Sequence, residues 1–199
     1  MSSIVEKIKE EVIRRSNKFQ ENTKGTKDEY NLYFEHIKYV YKYACMIAKD
    51  KNVDIESIKL SALLHDISMT DIILDRDKHN EYSSVIAEKL LRENNYPEEK
   101  IILVKKCILN HSNKRKNYRT TKEEQILVDA DAMAHFDCLL SLYSLGVNVI
   151  GLDEISAIQL VKDKITKDYN EISEETKNYV KDKYERIMKI KYYDELKLL

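Results

Sequence analysis

The chain has 199 residues, of which 35% are charged, and a formal net charge of −1. This balance provides no global positive field, which argues against nucleic acid or an anionic membrane surface as the main partner. The sequence contains 3 glycines and 1 proline, and this scarcity of helix breakers, with abundant Lys, Glu, Ile and Leu, predicts a mostly helical protein.

The first part of the chain predicts three helices. Residues 2–22 carry apolar side chains at helical spacing, and Gly25 closes that segment. A long helix is predicted over residues 28–50. A third helix is predicted over residues 54–66, with the carboxylate of Asp54 as its cap.

The middle of the chain predicts two more helices separated by polar segments. A polar connection over residues 70–80 leads to a helix over residues 81–93. Pro97, which is followed by two glutamates, opens a helix that continues through His111. The residues that follow, 112–121, form a basic loop.

The last part of the chain predicts three helices. A capping box made by Thr120 and Glu123 begins a long helix, and Gly146 fits its end. Asp153 starts a shorter helix, and residues 172–198 form a last long one. No repeat, low-complexity tract or linker interrupts this pattern, so we expect a single all-α domain.

Several ionisable side chains fall on helix faces that should be buried. They align with apolar residues three or four positions away, and they are His36, His65, His111 and Asp131. One such histidine or aspartate is usually a core residue with a hydrogen-bond partner, or a helix cap. Several together require collective compensation, and few arginines lie in these helices. A divalent cation would satisfy several of them at once, so we favour a metal site.

The order of these residues along the chain is specific. It reads His36, the dipeptide His65-Asp66, His79, His111 and Asp131. With the local sequences ALLHDI and ILVDADAM, this order resembles the HD-domain superfamily of metal-dependent phosphohydrolases over about residues 30–140. The resemblance implies an all-α, single-domain HD-type helical bundle over residues 1–199. Its metal-binding core would span about 28–145, and C-terminal helices over 153–199 would pack on it.

The two extra histidines resemble those of the six-ligand subtype, which holds two ions. By this resemblance one ion is held by His36, His65, Asp66 and Asp131. The second is held by His79 and His111, with Asp66 bridging both. Imidazole and carboxylate ligands suit iron or manganese best, while zinc, nickel, cobalt or magnesium would also be accepted. Two such ions activate a water molecule for attack, and we expect Asp66 and His65 to be the catalytic residues.

The last motif contains a choice between two aspartates. Asp129 and Asp131 diverge by about 200° on a helix, so both cannot face one ion. The apolar stripe and the motif favour Asp131, and Asp129 is expected to be solvated or to support a ligand. His135, one turn beyond Asp131, is expected to be a core histidine or a support for a ligand.

Basic residues next to the proposed ligands are candidates for binding phosphate. Arg76 precedes His79, and Lys114 and Arg115 follow His111. We expect these three cations to contact the substrate. Arg119, further from a ligand in the sequence, is expected to be a solvated surface residue.

The function expected from this resemblance is hydrolysis of a phosphate ester or anhydride, with a small nucleotide-like molecule as substrate. Two alternatives remain open: an HD-fold di-iron oxygenase, and a non-catalytic module that senses a nucleotide. The expected partner is a small phosphorylated molecule and no membrane, and the chain could form a homodimer. Three scattered cysteines and the lack of a signal-like N-terminus or a membrane-length apolar run lead us to expect a cytoplasmic protein.

Overall fold

The structure, a computed structural model, describes residues 3–71, 75–112 and 118–190. Within these ranges the chain forms α-helices joined by short 3-10 and π-helical turns, and it contains no β-strand. The expectation of an all-α bundle is therefore confirmed. No single helix in the described ranges is apolar and long enough to cross a membrane, although the bent pair Lys122–Asp137 and Leu139–Ile150 would be by length and composition.

The helices follow one another through the whole described chain. They are α1 (Ile4–Thr23), α2 (Lys38–Ala48), α3 (Ile55–Leu64), α4 (His79–Glu93), α5 (Glu98–Asn110), α6 (Lys122–Asp137), α7 (Leu139–Ser144), α8 (Glu154–Glu171) and α9 (Glu174–Met188). One π-helical turn, Tyr33–Ile37, leads into α2, and a second, Leu145–Ile150, follows α7. Two 3-10 turns, Ile67–Thr70 and Arg76–Lys78, lie between α3 and α4.

Side-chain caps set several helix starts. Asp54 and Asp153 accept hydrogen bonds from backbone N–H groups in the first turns of α3 and α8, as the sequence predicts. The predicted capping box is wrong by one residue, because the box that begins α6 is formed by Thr121 and Glu124. Thr121 has the extended backbone that a capping residue needs, and the helix begins at the residue after it.

The prediction of one long helix that ends at Gly146 is wrong in two respects. The chain breaks at Cys138, and the segments before and after the break are bent by 77°. Gly146 lies inside the second π-helical turn, where an added Cβ would come within 3.0 Å of Ala157 Cβ in α8. The residue that ends the segment is Gly151, whose φ of +81° is accessible to glycine. Gly146 is therefore a packing position.

Two apolar clusters hold the helices together. One is formed by α2 and α6 with α8 and α9, and the other by α1, α4 and α5. Helix α3 contributes to both, through Ile58 and Ala62 on one side and Leu60 and Leu63 on the other. The C-terminal helices α8 and α9 pack on α6. The sequence predicts that the last helix is the longer of the two, but α8 has 18 residues and α9 has 15.

Asp129 joins α6 to the start of α9. It is 2% exposed, so the expectation of a solvated carboxylate is wrong. One carboxylate oxygen accepts from the Ser173 backbone N–H at 3.0 Å and from Gln125 Nε2 at 2.8 Å. The other accepts from the Ser173 hydroxyl at 2.5 Å and from the Thr176 hydroxyl at 2.8 Å. Asp129 thus replaces water for the first turn of α9.

Replacing Asp129 with Ala should lower the free energy of unfolding by about 2–3 kcal/mol, because the buried Thr176 hydroxyl and the donors of Ser173 lose their acceptor. Urea denaturation of the purified protein measures this change. Asp163→Ala is the matched control, since Asp163 is exposed on α8 and accepts a bond from Gln159 alone among the described contacts. The control should change stability by less than about 0.5 kcal/mol. Equal stability of both variants would contradict this role of Asp129.

Candidate metal centre

The six residues predicted as ligands come together from five parts of the chain. Four of them sit at helix ends or beside them: His65 and Asp66 follow α3, His79 begins α4, and His111 follows α5. Helix α3 ends at Leu64 rather than at Asp66 as predicted. The backbone of Asp66, with φ −116° and ψ 17°, leaves the helix. The two neighbouring side chains can then face a common point, whereas consecutive residues of a helix diverge by about 100°.

His36 lies in a π-helical turn where the sequence predicts a regular helix. The turn spans Tyr33–Ile37 and leads into α2, and the His36 side chain is buried. Such turns interrupt α-helices mostly at functional positions, because the wider turn re-aims a side chain. The local sequence carries no glycine or proline that would have predicted it.

A first group of ligand atoms consists of His36, His65 and Asp131, whose donor atoms all lie within 4.8 Å of one another. The two Nε2 atoms of the histidines are 3.2 Å apart. Asp131 Oδ1 lies 3.0 Å from Nε2 of His36 and 3.6 Å from Nε2 of His65. These separations suit three ligands on one ion with bonds of about 2.0–2.2 Å.

A second group consists of Asp66, His79 and His111, with the same upper limit of 4.8 Å between donor atoms. The Nε2 atoms of His79 and His111 are 3.2 Å apart. Asp66 Oδ1 lies 3.5 Å from Nε2 of His79 and 3.6 Å from Nε2 of His111. His111 is buried, whereas the His79 side chain is 27% exposed, so this group is the more open of the two.

Asp66 lies between the two groups. Its Oδ1 faces the second group, while its Oδ2 lies 3.5 Å from Nε2 of His65 and 3.9 Å from Nε2 of His36 in the first. Each carboxylate oxygen therefore belongs to a different set of imidazoles. This is the arrangement that a carboxylate shared by two ions would have.

The atoms that would bind metal are oriented towards cations rather than towards hydrogen bonds with one another. Asp66 Oδ1 and Asp131 Oδ1 are buried, and no described group donates a properly aligned hydrogen bond to either. Nδ1 of His65 lies 3.0 Å from the Ala62 carbonyl oxygen, and Nδ1 of His111 lies 2.5 Å from the Ile108 carbonyl oxygen. These contacts occupy Nδ1 and leave Nε2 pointing at the cluster, which is typical of metal-binding histidines. The residues fit divalent ions.

The ionisable groups of the cluster also shift one another's pKa values. Burial would raise the pKa of Asp66, but the neighbouring imidazole charges, that of His65 first, hold it well below its usual value. Burial likewise opposes ionisation of Asp131, and its interactions with the imidazoles of His135, His36 and His65 lower its pKa well below the ordinary range. Burial would lower the pKa of His65, but Asp66 and Asp131 raise it to about 9. Both aspartates are thus charged, as ligands must be.

A cavity of about 200 Å³ opens beside the cluster. His36, Asp66 and His135 line it, and Phe19, Leu142 and Leu145 are among its apolar lining residues. Lys114 and Arg115, predicted to bind phosphate, lie outside the described residues, as does the side chain of Arg76. Their role stays a prediction.

The expectation that Arg119 is a solvated surface residue is wrong. Its side chain is 5% exposed. The guanidinium donates to the carbonyl oxygens of Asn110 at 2.9 Å, His111 at 3.3 Å and Ser112 at 3.1 Å, and pairs with Glu171 of α8 at 3.0 Å. It satisfies carbonyls at the end of α5, which helices leave unpaired. No local signal in the sequence indicates this, because the ion-pair partner Glu171 comes from the distant helix α8.

A comparison with protein families now identifies the domain. A model of the HD domain matches residues 33–135, which contain all six clustered residues. The chain belongs to the HD-domain family. HD domains form a superfamily of metal-dependent hydrolases. No curated protein and no solved structure matches the chain. Helices α8 and α9 lie beyond the part that matches the HD domain.

Replacing Arg119 with Met should lower the free energy of unfolding of this HD protein by about 3 kcal/mol, because Glu171 and the carbonyls at the end of α5 lose their partner. Chemical denaturation measures the loss. Arg14→Met is the control, since Arg14 forms an exposed ion pair with Glu11 and its removal should cost less than about 1 kcal/mol. If Arg119→Met were as stable as the control variant, the guanidinium would not be needed to hold α5.

Proposed function

We propose that this HD protein is a metal-dependent phosphohydrolase with a dinuclear site, of the six-ligand subtype. The observation that carries the proposal is the position of Asp66, whose two carboxylate oxygens face two different groups of imidazoles. A site for one ion would not need the second group.

The proposed assignment follows the two groups. His36, His65 and Asp131 would hold one ion, His79 and His111 the other, and Asp66 would bind both. Iron or manganese is the expected metal, since mixed imidazole and carboxylate ligands suit either. Bound there, two divalent ions supply Lewis acidity that activates water as a nucleophile near neutral pH. The chain itself contributes preorganised ligands and a partly apolar cavity beside them.

The cavity supports a small substrate. Its volume of about 200 Å³ lies below the roughly 300–1,000 Å³ of sites for drug-sized ligands. We propose a phosphate ester or anhydride, and we would test small nucleotides first. The predicted cations Arg76, Lys114 and Arg115 follow or precede ligands in the sequence and would supply positive charge for the phosphate.

Replacing Asp66 with Ala should remove both ions and abolish turnover, because both groups lose their shared carboxylate. Replacing His111 with Ala should mainly reduce the second ion. Elemental analysis of anaerobically purified protein gives the number of ions per chain, with about two expected for the wild type. Asp163→Ala, an exposed carboxylate on α8, serves as the control and should keep the wild-type number. Full metal content and turnover in Asp66→Ala would rule out the bridging role.

The wild-type protein should release nitrophenol from bis-p-nitrophenyl phosphate, or phosphate from nucleotides, and a chelator should stop the reaction by removing the ions. Readdition of iron or manganese should restore it. The same assay run with and without dioxygen separates the phosphohydrolase from the oxygenase, since hydrolysis does not consume oxygen. Substrate loss that requires oxygen, with a mixed-valence iron signal, would replace this proposal with the oxygenase. Metal binding without turnover of any tested phosphate ester would favour a sensing module.

A further inference from the structure

His135 lies at the border between the metal centre and the cavity. It follows Asp131 by one turn of α6, and it lines the cavity together with His36 and Asp66. Its ring is near that of His36, with centroids 5.0 Å apart and planes at 16°. Its Nε2 lies 3.8 Å from Asp131 Oδ1, which is too far for a hydrogen bond. The nitrogen that faces the centre is therefore available to a molecule in the cavity.

The other nitrogen of His135 is held by α8. Nδ1 lies 3.2 Å from Lys164 Nζ and 3.0 Å from Asp168 Oδ2. Lys164 also donates to Asp168 Oδ1 at 2.6 Å, so the two residues, one turn apart on α8, form a unit against the imidazole. Asp168 is 4% exposed, and its Oδ2 accepts no aligned hydrogen bond from a described group. Lys164, which is held by Asp168, orients the ring through its contact with Nδ1.

Both contacts of Nδ1 are with α8, so Nε2 is the ring nitrogen that faces the cavity. Lys164, which can only donate, contacts Nδ1 as it would contact a ring whose hydrogen is on Nε2. Such a ring would present an N–H donor to the cavity, next to the position where the proposed ions would be.

We propose that His135 is a substrate-binding residue that donates a hydrogen bond from Nε2 to a phosphoryl oxygen, and that Lys164 and Asp168 are positioning residues for it. The inference rests on the proposed function and specifies how that site holds the phosphate. Helix α8 lies beyond the part of the chain that matches the HD domain, so this donor would be completed by a segment outside the family's shared core.

The test measures binding of inorganic phosphate to metal-loaded protein by calorimetry, together with metal content and KM for bis-p-nitrophenyl phosphate. His135→Leu, which removes the donor, should weaken phosphate binding about tenfold to hundredfold, as expected for a bond to a charged group. His135→Gln, which retains an N–H donor near Nε2, should recover part of the loss. Lys164→Met and Asp168→Asn should weaken binding about threefold to tenfold.

Two matched controls come from the same helix. Lys167→Met and Asp163→Asn alter exposed residues of α8 and should bind phosphate as the wild type does. Metal content should be unchanged in all variants, which a metal ligand would not allow, and recovery of affinity in His135→Gln separates a donor from a purely structural histidine. Unchanged phosphate affinity in His135→Leu, or loss of metal in parallel with affinity, would overturn the inference.

The outcomes separate this inference from the proposed function. Turnover by the wild type with equal phosphate affinity in His135→Leu would support the phosphohydrolase and overturn the role of His135. Phosphate binding that depends on His135 without turnover of any ester would support the role and overturn the hydrolase. A metal-loaded wild type that neither binds phosphate nor turns over any tested ester would overturn both.

Discussion

The structure depends on two charged carboxylates, Asp66 and Asp131, that lie mostly buried among imidazoles. Asp66 and Asp131 could not remain ionised in an apolar interior by themselves, since an isolated buried charge costs many kcal/mol. The histidines that surround them lower the pKa of both carboxylates, and the carboxylates in turn raise the pKa of His65 to about 9. The groups compensate one another partly, and buried oxygens that accept no hydrogen bond remain at the centre. A divalent cation meets that remaining demand better than any side chain of the described chain.

The helical bundle provides this cluster through the places where its helices stop. Helix ends carry unpaired carbonyl groups, and here the carbonyls of Ala62 and Ile108 lie against Nδ1 of His65 and His111. The unpaired carbonyl groups at these two helix ends contact Nδ1, so Nε2 is the nitrogen that points inward. At the end of α5 the unpaired carbonyl of Asn110 accepts a hydrogen bond from Arg119, which also pairs with Glu171 of α8. The stability of the bundle and the geometry of the centre are thus coupled.

The C-terminal helices do more than cover the core. Asp129 of α6 accepts hydrogen bonds from Ser173, the residue that caps α9, and from Thr176 in its first turn, and Glu171 of α8 pairs with Arg119. Lys164 and Asp168 of α8 reach His135 next to the cavity. In each case a buried charge is satisfied by a residue far away in sequence. The part of the chain beyond the HD-domain match therefore supports the residues on which the proposed chemistry relies.

The sequence by itself determined the helical class, most helix positions and the order of the six ionisable residues, because helix periodicity and caps are local properties. It also indicated Asp131 over Asp129, since the two must diverge on a helix and the apolar stripe and the motif favour Asp131. Tertiary structure decided the rest. The burial of Arg119 and Asp129 depends on Glu171, Ser173 and Thr176, which lie far away in sequence, and local propensity does not encode it. The position of Asp66 between two groups, which the family resemblance led us to expect, likewise requires imidazoles from separate segments to converge on it.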